Sequence, residues 1–240
     1  GKSKANNITN VSSVFLGIPY FRDPLGENGG IDKDPIYRFD RFDCLTFVET
    51  VLALTFSKNS DDFEDIIKRI RYSNGEVDIK KRNHFINPDW IQNNSDFVKE
   101  ATKDIADKIN SEISVSKIML DRKTWFKKNY NIDINIEEQE AVLDYITLDT
   151  LLAKEAELKK AITEPMIVNI VIYKPSFRKR YGSEINTSHI GFIIPSENEL
   201  IFRHASFFKE KVVDDEFFRY LRMLKKYKMY KGINFLEIKS

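Results

Sequence analysis

The order of elements along the chain predicts an α+β fold, with helices first and antiparallel strands later. Three observations carry this reading. Apolar residues recur at the helical period through much of the first half of the chain. The segment 166–173 is β-branched and lies between Pro165 and Pro175, as a buried strand would. Two more strand-like segments, 189–194 and 199–204, are separated only by Pro195-Ser196-Glu197-Asn198, a hairpin-length connection.

The first clear helix is expected at 44–56. Leu45, Val48 and Leu52 with Phe47, Val51 and Leu54 cover two faces and leave a narrow polar stripe at Glu49, the pattern of a buried helix. Asp43 is a good N-cap for it. A second helix is expected at 61–71, where Phe63, Ile66, Ile67 and Ile70 share a face before Asn74-Gly75 turns the chain. A third is expected at 96–109, carried by Phe97, Ala101, Ile105 and Ile109. The stretch 118–146 predicts short strands mixed with loops. A helix over 149–162 is then capped by Asp149 and stopped before Pro165. A helix near 214–224 and a short strand at 233–238 close the chain. Near the N-terminus, the turn formers of 23–30 predict a surface loop. With no repeat and no low-complexity linker, residues 1–240 read as a single domain with inserted loops and helices.

Composition removes several function classes. Hydrophobic residues make up 42% and charged residues 31%, so the chain can bury a core. Lys and Arg total 38 against 37 Asp and Glu, which leaves no global field to favour nucleic acid or a membrane surface. No apolar run approaches the about 20 residues that span a bilayer. The chain begins at Gly1 rather than Met, as a trimmed or mature chain would, so its compartment is not read from that end. There is no His-Glu-x-x-His pattern, no paired-thiolate spacing and no glycine-rich phosphate fingerprint, so neither metal nor cofactor is expected. Oligomeric state is not legible, and a monomer is the simpler expectation.

The single cysteine, Cys44, forms no disulfide within the chain. It is either a small buried hydrophobe or a reactive thiol. Its place just after the cap Asp43 suits the second, which the histidines below strengthen. A free thiol ionises at roughly pH 8.5, and the unpaired amides of a first helical turn favour the thiolate. Of three histidines, His189 starts one expected strand and His204 ends the next, so a hairpin brings them together on one face. Packing the Cys44 helix across that sheet sets the thiol beside His189. Nucleophile, base and orienting group are the parts that amide hydrolysis needs.

These residues resemble a known family. Phe42-Asp43-Cys44-Leu45-Thr46-Phe47, His189-Ile190-Gly191-Phe192 and Ile201-Phe202-Arg203-His204-Ala205-Ser206 are similar to the NlpC-type, papain-like cysteine amidopeptidases. Gly17-Ile18-Pro19-Tyr20, Pro24-Leu25-Gly26-Glu27, Tyr37-Arg38-Phe39-Asp40, Glu49 to Leu54, Arg82 to Phe85 and Asp89-Trp90 resemble its N-acetylmuramoyl-L-alanine amidase-like branch. The resemblance implies Cys44 as nucleophile, His189 as base and His204 as third member. It also implies a muropeptide substrate, with the 1,6-anhydro sugar favoured, and a periplasmic or envelope setting in a Gram-negative bacterium. Where relatives often carry Gly-Asp ahead of the strand leading to the base, this chain has Glu164-Pro165, and 118–149 matches loosely.

The remaining candidates are Tyr20, Arg38, Asn83, His84, Asp89 and Trp90. Tyr20 and the Pro24–Glu27 loop either wall the cleft or pack as simple turns. Arg38 either meets a substrate carboxylate with its fork or forms a structural ion pair. Asn83, His84 and Asp89 offer polar groups to a sugar, and Trp90 is either its stacking platform or core. The basic run Lys225–Lys231 reads as a solvated helix end. The rival functions are a γ-D-glutamyl–diamino acid endopeptidase on the same stem peptide and an inactive wall-binding module.

Overall fold

The computed structural model describes residues 4–240. Eight strands form its centre: β1 (Val98–Glu100), β2 (Ser114–Leu120), β3 (Gln139–Thr147), β4 (Met166–Ile172), β5 (Thr187–Pro195), β6 (Leu200–Ser206), β7 (Lys211–Glu216) and β8 (Tyr230–Ile238). They pair antiparallel in the order β2-β3-β8-β4-β5-β6-β7. Along the remaining edge of β8, β3 meets its start and β1 its end. This is the α+β arrangement the sequence predicts.

Both faces of the sheet are covered. On one lie α1 (Lys4–Ser13), α2 (Cys44–Phe56) and α3 (Ser60–Arg71), where Phe47, Val48 and Val51 pack with Ile167, Ile190 and Phe192. On the other, Phe217 and Leu221 of the helix Phe217–Leu224 pack with Val168, Ile170, Ile193 and Phe202. That double cover is why every residue of β4 is buried and its sequence shows no polar alternation. The capping box of α2 is complete: Asp43 accepts from the Thr46 amide at 2.8 Å, and Thr46 Oγ1 accepts from the Asp43 amide at 3.0 Å.

Elsewhere tertiary pairing overrides local pattern. The expected helix over 96–109 begins as β1, because Val98 to Glu100 pair with the end of β8, and only Thr102–Lys108 is helical. The mixed stretch 118–146 holds a helix, Arg122–Tyr130, capped by Asp121 and closed by Asn131 at φ 56°. The expected 149–162 helix is two, Leu148–Ala153 and Glu155–Ala161, broken at Lys154 and capped by Thr147 rather than Asp149. The last helix starts at Phe217 because residues up to Glu216 pair with β6 as β7. Tyr230 and Lys231 of the basic run belong to β8, and residues 225–229 form a turn rather than a helix end. The helices Lys4–Ser13 and Ser176–Tyr181 have no counterpart in the sequence reading.

Candidate active site

The capping box decides what the first turn of α2 offers. It occupies the Thr46 amide, and the Phe47 amide bonds to the Asp43 carbonyl at 3.1 Å. The amides of Cys44 and Leu45 face the sulfur instead. A third amide joins them from the sheet. Pairing of β5 with β6 stops at Phe192–Arg203, although β5 begins at Thr187 and β6 runs on to Ser206. Beyond that pair the strands part, and there the amide of Ile190 faces Cys44 Sγ.

Gly191 makes the histidine pair possible. A Cβ at that position would stand 2.8 Å from His204 Cβ and 2.7 Å from the Phe202 ring, so only glycine leaves room opposite His204. His189 therefore reaches diagonally across the hairpin. Its Nε2 lies 2.6 Å from His204 Nδ1, with the rings 4.8 Å apart and nearly perpendicular. His204 is 1% exposed and stacks on Phe202 at 4.3 Å. Its Nε2 lies 3.1 Å from Asp215 Oδ2, and Asp215 Oδ1 accepts from Lys209 Nζ at 2.6 Å. Tyr220 packs against both imidazoles. The histidines thus sit on the face away from α2, not on the face it covers as the sequence predicts, and the amide of Ile190, next in the chain to His189, is what links that hairpin to Sγ. No hydrogen bond joins Sγ to His189 among the described residues.

The resting charges differ from the lowered thiol pKa expected of a first helical turn. Burial and the Asp43 carboxylate push Cys44 up to about 12, against the pull of the three amides. Burial and the neighbouring His204 hold His189 well below the usual imidazole range. His204 is lowered by burial, with Asp215 pulling the other way. Asp215 is drawn down to about 2 by its hydrogen bond to His204, with Lys209 adding to the effect. At neutral pH both members of the Cys44–His189 pair are therefore uncharged.

That state has a measurable signature. Only the thiolate alkylates, and its fraction rises about tenfold per pH unit below the thiol pKa. Iodoacetamide labelling of the native protein should be slower than that of a free cysteine at pH 7 and should climb without levelling through pH 9. A plateau below pH 7 would reveal a preformed thiolate–imidazolium pair and overturn this assignment.

One cavity adjoins the first turn of α2 and a second meets it at a common wall of Arg82, Asn83 and His84; Cys44, His189 and His204 line neither. The smaller, about 160 Å³, runs from Asp43, Leu45 and Thr46 to Trp125 and Tyr130. The larger, about 540 Å³, continues past Asp89, Arg122 and Phe126. Asp23, Pro24 and Leu25 of the turn-rich loop line the smaller, and Arg82 anchors the loop through Glu27 at 2.6 Å and Asp32 at 2.9 Å.

A family model described as AmiA-like, N-acetylmuramoyl-L-alanine amidase-like, matches residues 10–229. The chain belongs to that family. Among solved structures, the Legionella pneumophila protein LPG0564 is 28% identical, with a TM-score of 0.92 over 100% of this chain and 90% of that one. An N-acetylmuramoyl-L-alanine amidase from Bacteroides uniformis is 22% identical, with a TM-score of 0.74 over 99% of each chain. A Bacteroides fragilis protein described as a candidate xylanase is 24% identical, with a TM-score of 0.72 over 95% of this chain and 99% of that one. At that identity these last two share the fold. No curated protein matches the sequence.

Within this amidase-like chain the expected substrate residues divide. Burial raises the pKa of Tyr20, and Cys44 and Asp43 stand close enough for their charge to add to it. His84 and Asn83 line both cavities and Asp89 the larger. Each already has a protein partner: His84 Nε2 lies 2.6 Å from the Ile79 carbonyl oxygen, Asn83 donates to the Ile70 carbonyl, and Asp89 pairs with Arg122. Trp90 is no platform. It is 0% exposed, and its indole N–H donates to Glu49, itself paired with Arg71 in the core. Arg38 has its fork on Asp40 at 2.6 and 2.9 Å and lines neither cavity.

Two features lay beyond the sequence reading. The half-buried aromatics facing the cleft are Trp125 and Tyr130, with the Trp125 ring 4.6 Å from His84. The start signal of Asp121 followed by Thr124, and the stop at Asn131, mark their helix and could have revealed it. Asp215 was hidden in a segment read as helical.

Proposed function

We propose that this protein hydrolyses the amide joining N-acetylmuramic acid to L-alanine in peptidoglycan fragments, the 1,6-anhydro sugar being preferred. The observation that supports it most is the His189–His204 hydrogen bond beside the amide-lined sulfur of Cys44, in a chain of an amidase-like family. Cys44 Sγ attacks the lactyl carbonyl carbon while His189 takes the thiol proton. Because the resting pair is neutral, this transfer accompanies attack, as it does with a serine nucleophile. The amides of Cys44 and Leu45 are the donors for the oxyanion, worth roughly 3–4 kcal/mol each in measured cases. His189 then protonates the departing alanine nitrogen, leaving a lactyl thioester on Cys44. Water, deprotonated by His189, splits the thioester and releases the muramic acid carboxylate and the free thiol. The arrangement is of the NlpC, papain-like kind, and the setting is the periplasm or cell envelope.

The two joined cavities are the place for substrate, with Trp125 rather than Trp90 as the aromatic wall. Mass spectrometry of a digest tests both points. Anhydro-muropeptide should give free sugar and an intact stem beginning with L-alanine, and the sugar-free stem should survive. Trp125→Ala should raise KM about tenfold while the labelling rate of Cys44 stays as in the parent chain. Cleavage inside the sugar-free stem would make the protein the rival endopeptidase, and an untouched muropeptide would leave only a binding module.

A further inference from the structure

Asp215 lies outside the Cys44–His189–His204 set, yet it fixes which nitrogen of that set is bare. An ionised carboxylate only accepts hydrogen bonds. Asp215 is kept ionised by His204 and Lys209, and its Oδ2 is 3.1 Å from His204 Nε2, so that nitrogen carries the proton. Neutral His204 then presents a bare Nδ1, and this atom faces His189 Nε2 at 2.6 Å. His189 must hold its own proton on Nε2, which leaves Nδ1 without one. Nδ1 is the ring nitrogen nearer the backbone, and the next amide along the strand, that of Ile190, faces Cys44 Sγ.

We propose that Asp215, gripped by Lys209, is a positioning residue that sets the tautomer of both histidines and keeps His189 Nδ1 open to the thiol proton. The role rests on the amidase chemistry above, and it is independent of which bond is cut. Geometry supplies the reason that no other residue does this work. His204 Nε2 points at β7, where the register pairs Phe202 with Asp215 and His204 with Val213. Asp215 therefore projects on the same face as His204, one diagonal step away. Asp214, on the other face, is occupied by the Arg203 fork at 2.7 Å on each oxygen.

Lys209 decides how an amide would turn at this position. An ammonium group only donates. In Asp215→Asn it selects the amide oxygen, which turns the amide NH₂ towards His204 Nε2. His204 must then accept at Nε2 and carry its proton on Nδ1. It donates to His189 Nε2, and His189 moves its proton to Nδ1, where it blocks uptake from the thiol. One substitution, with no change in shape, reverses the whole relay. In D215N/K209M the asparagine can turn its oxygen back to His204, and the native order returns.

The test uses the full chain labelled with ¹⁵N-histidine, whose three histidines keep the spectrum sparse. Long-range proton–nitrogen correlations should place the proton on Nε2 of His189 and His204 in the native protein and on Nδ1 of both in D215N. On muropeptide, D215N should lose about 10²-fold in kcat with KM within threefold, and D215N/K209M should recover at least tenfold of it. A native His204 protonated on Nδ1, a D215N protein with unchanged tautomers, or a double variant as slow as D215N would each overturn the proposal. The spectra need no substrate. Native tautomers as stated in a protein that leaves muropeptide intact would refute the substrate assignment and uphold this one.

Discussion

His189→Ala should lower kcat on muropeptide by about 10⁴-fold or more, as Cys44→Ala should, and the double variant should be no slower than either alone. Residues that act as one unit lose their function together, so single losses do not add. The neutral resting pair strengthens the expectation. With the thiol pushed up to about 12, almost no thiolate exists at neutral pH unless His189 removes the proton. A papain-like preformed ion pair would keep part of its nucleophile when the base is weakened; this site would not. His204→Asn should be milder, at about 10²-fold, because an amide can still accept from His189 Nε2. The pH profile gives a second reading. Protonation of His189 ends activity, and burial with His204 holds that event well below pH 6.5. The acid limb of kcat/KM should therefore lie below pH 6.5, and activity at pH 5.5 should stay near its maximum. A base of ordinary pKa would by then have lost about tenfold. A His189→Ala protein, folded by circular dichroism and within tenfold of the parent rate, would remove His189 from the chemistry.

What the sequence made legible is what neighbours in sequence decide. Asp43, Thr46 and the all-round apolar pattern of α2 lie within one short segment, so cap, start and burial of that helix could be read directly. The β5–β6 hairpin was equally legible, and with it the meeting of His189 and His204. Partners far away in the chain decided the rest. Val98 pairs with Ile238, and that pairing makes β1 a strand despite helical spacing around it. Trp90 and Trp125 look alike in sequence. The first is buried because Glu49, a helix residue far upstream, accepts its N–H. Asp215 could be linked to His204 only through the register of β7. The thiol pKa departs from expectation for two reasons: desolvation of the half-buried sulfur is set by the fold, and the neighbouring Asp43, read only as a cap, also opposes the thiolate with its charge.

Gly191→Ala should cost the protein both stability and rate, through a single added methyl group. Its Cβ would lie 2.8 Å from the Arg203 carbonyl oxygen and 2.8 Å from His204 Cβ, closer than real Cβ atoms approach. Neither neighbour can yield by simple rotation, since one is backbone and the other is the root of a buried ring. The strands must move apart. Overpacking of this kind costs about 1–3 kcal/mol, visible as a lower urea midpoint at unchanged slope. The effect on catalysis should exceed the effect on stability. The His189–His204 contact spans this gap at 2.6 Å, and a displacement near 1 Å at a catalytic contact costs about 10²-fold in rate. Gly191→Ala should thus remain folded at low temperature, with kcat down by about 10²-fold. Its loss should not add to that of His204→Asn, because both act on the same contact. Gly232 of β8 supplies the control. A Cβ there would also meet backbone, the Ile146 carbonyl of β3, but two strands away from the β5–β6 gap. Gly232→Ala should therefore lower the urea midpoint and, wherever it stays folded, leave kcat within a few-fold of the parent. If Gly191→Ala kept the parent urea midpoint and rate, the close approach that lets the two histidines meet across the hairpin would not be a feature of the folded protein.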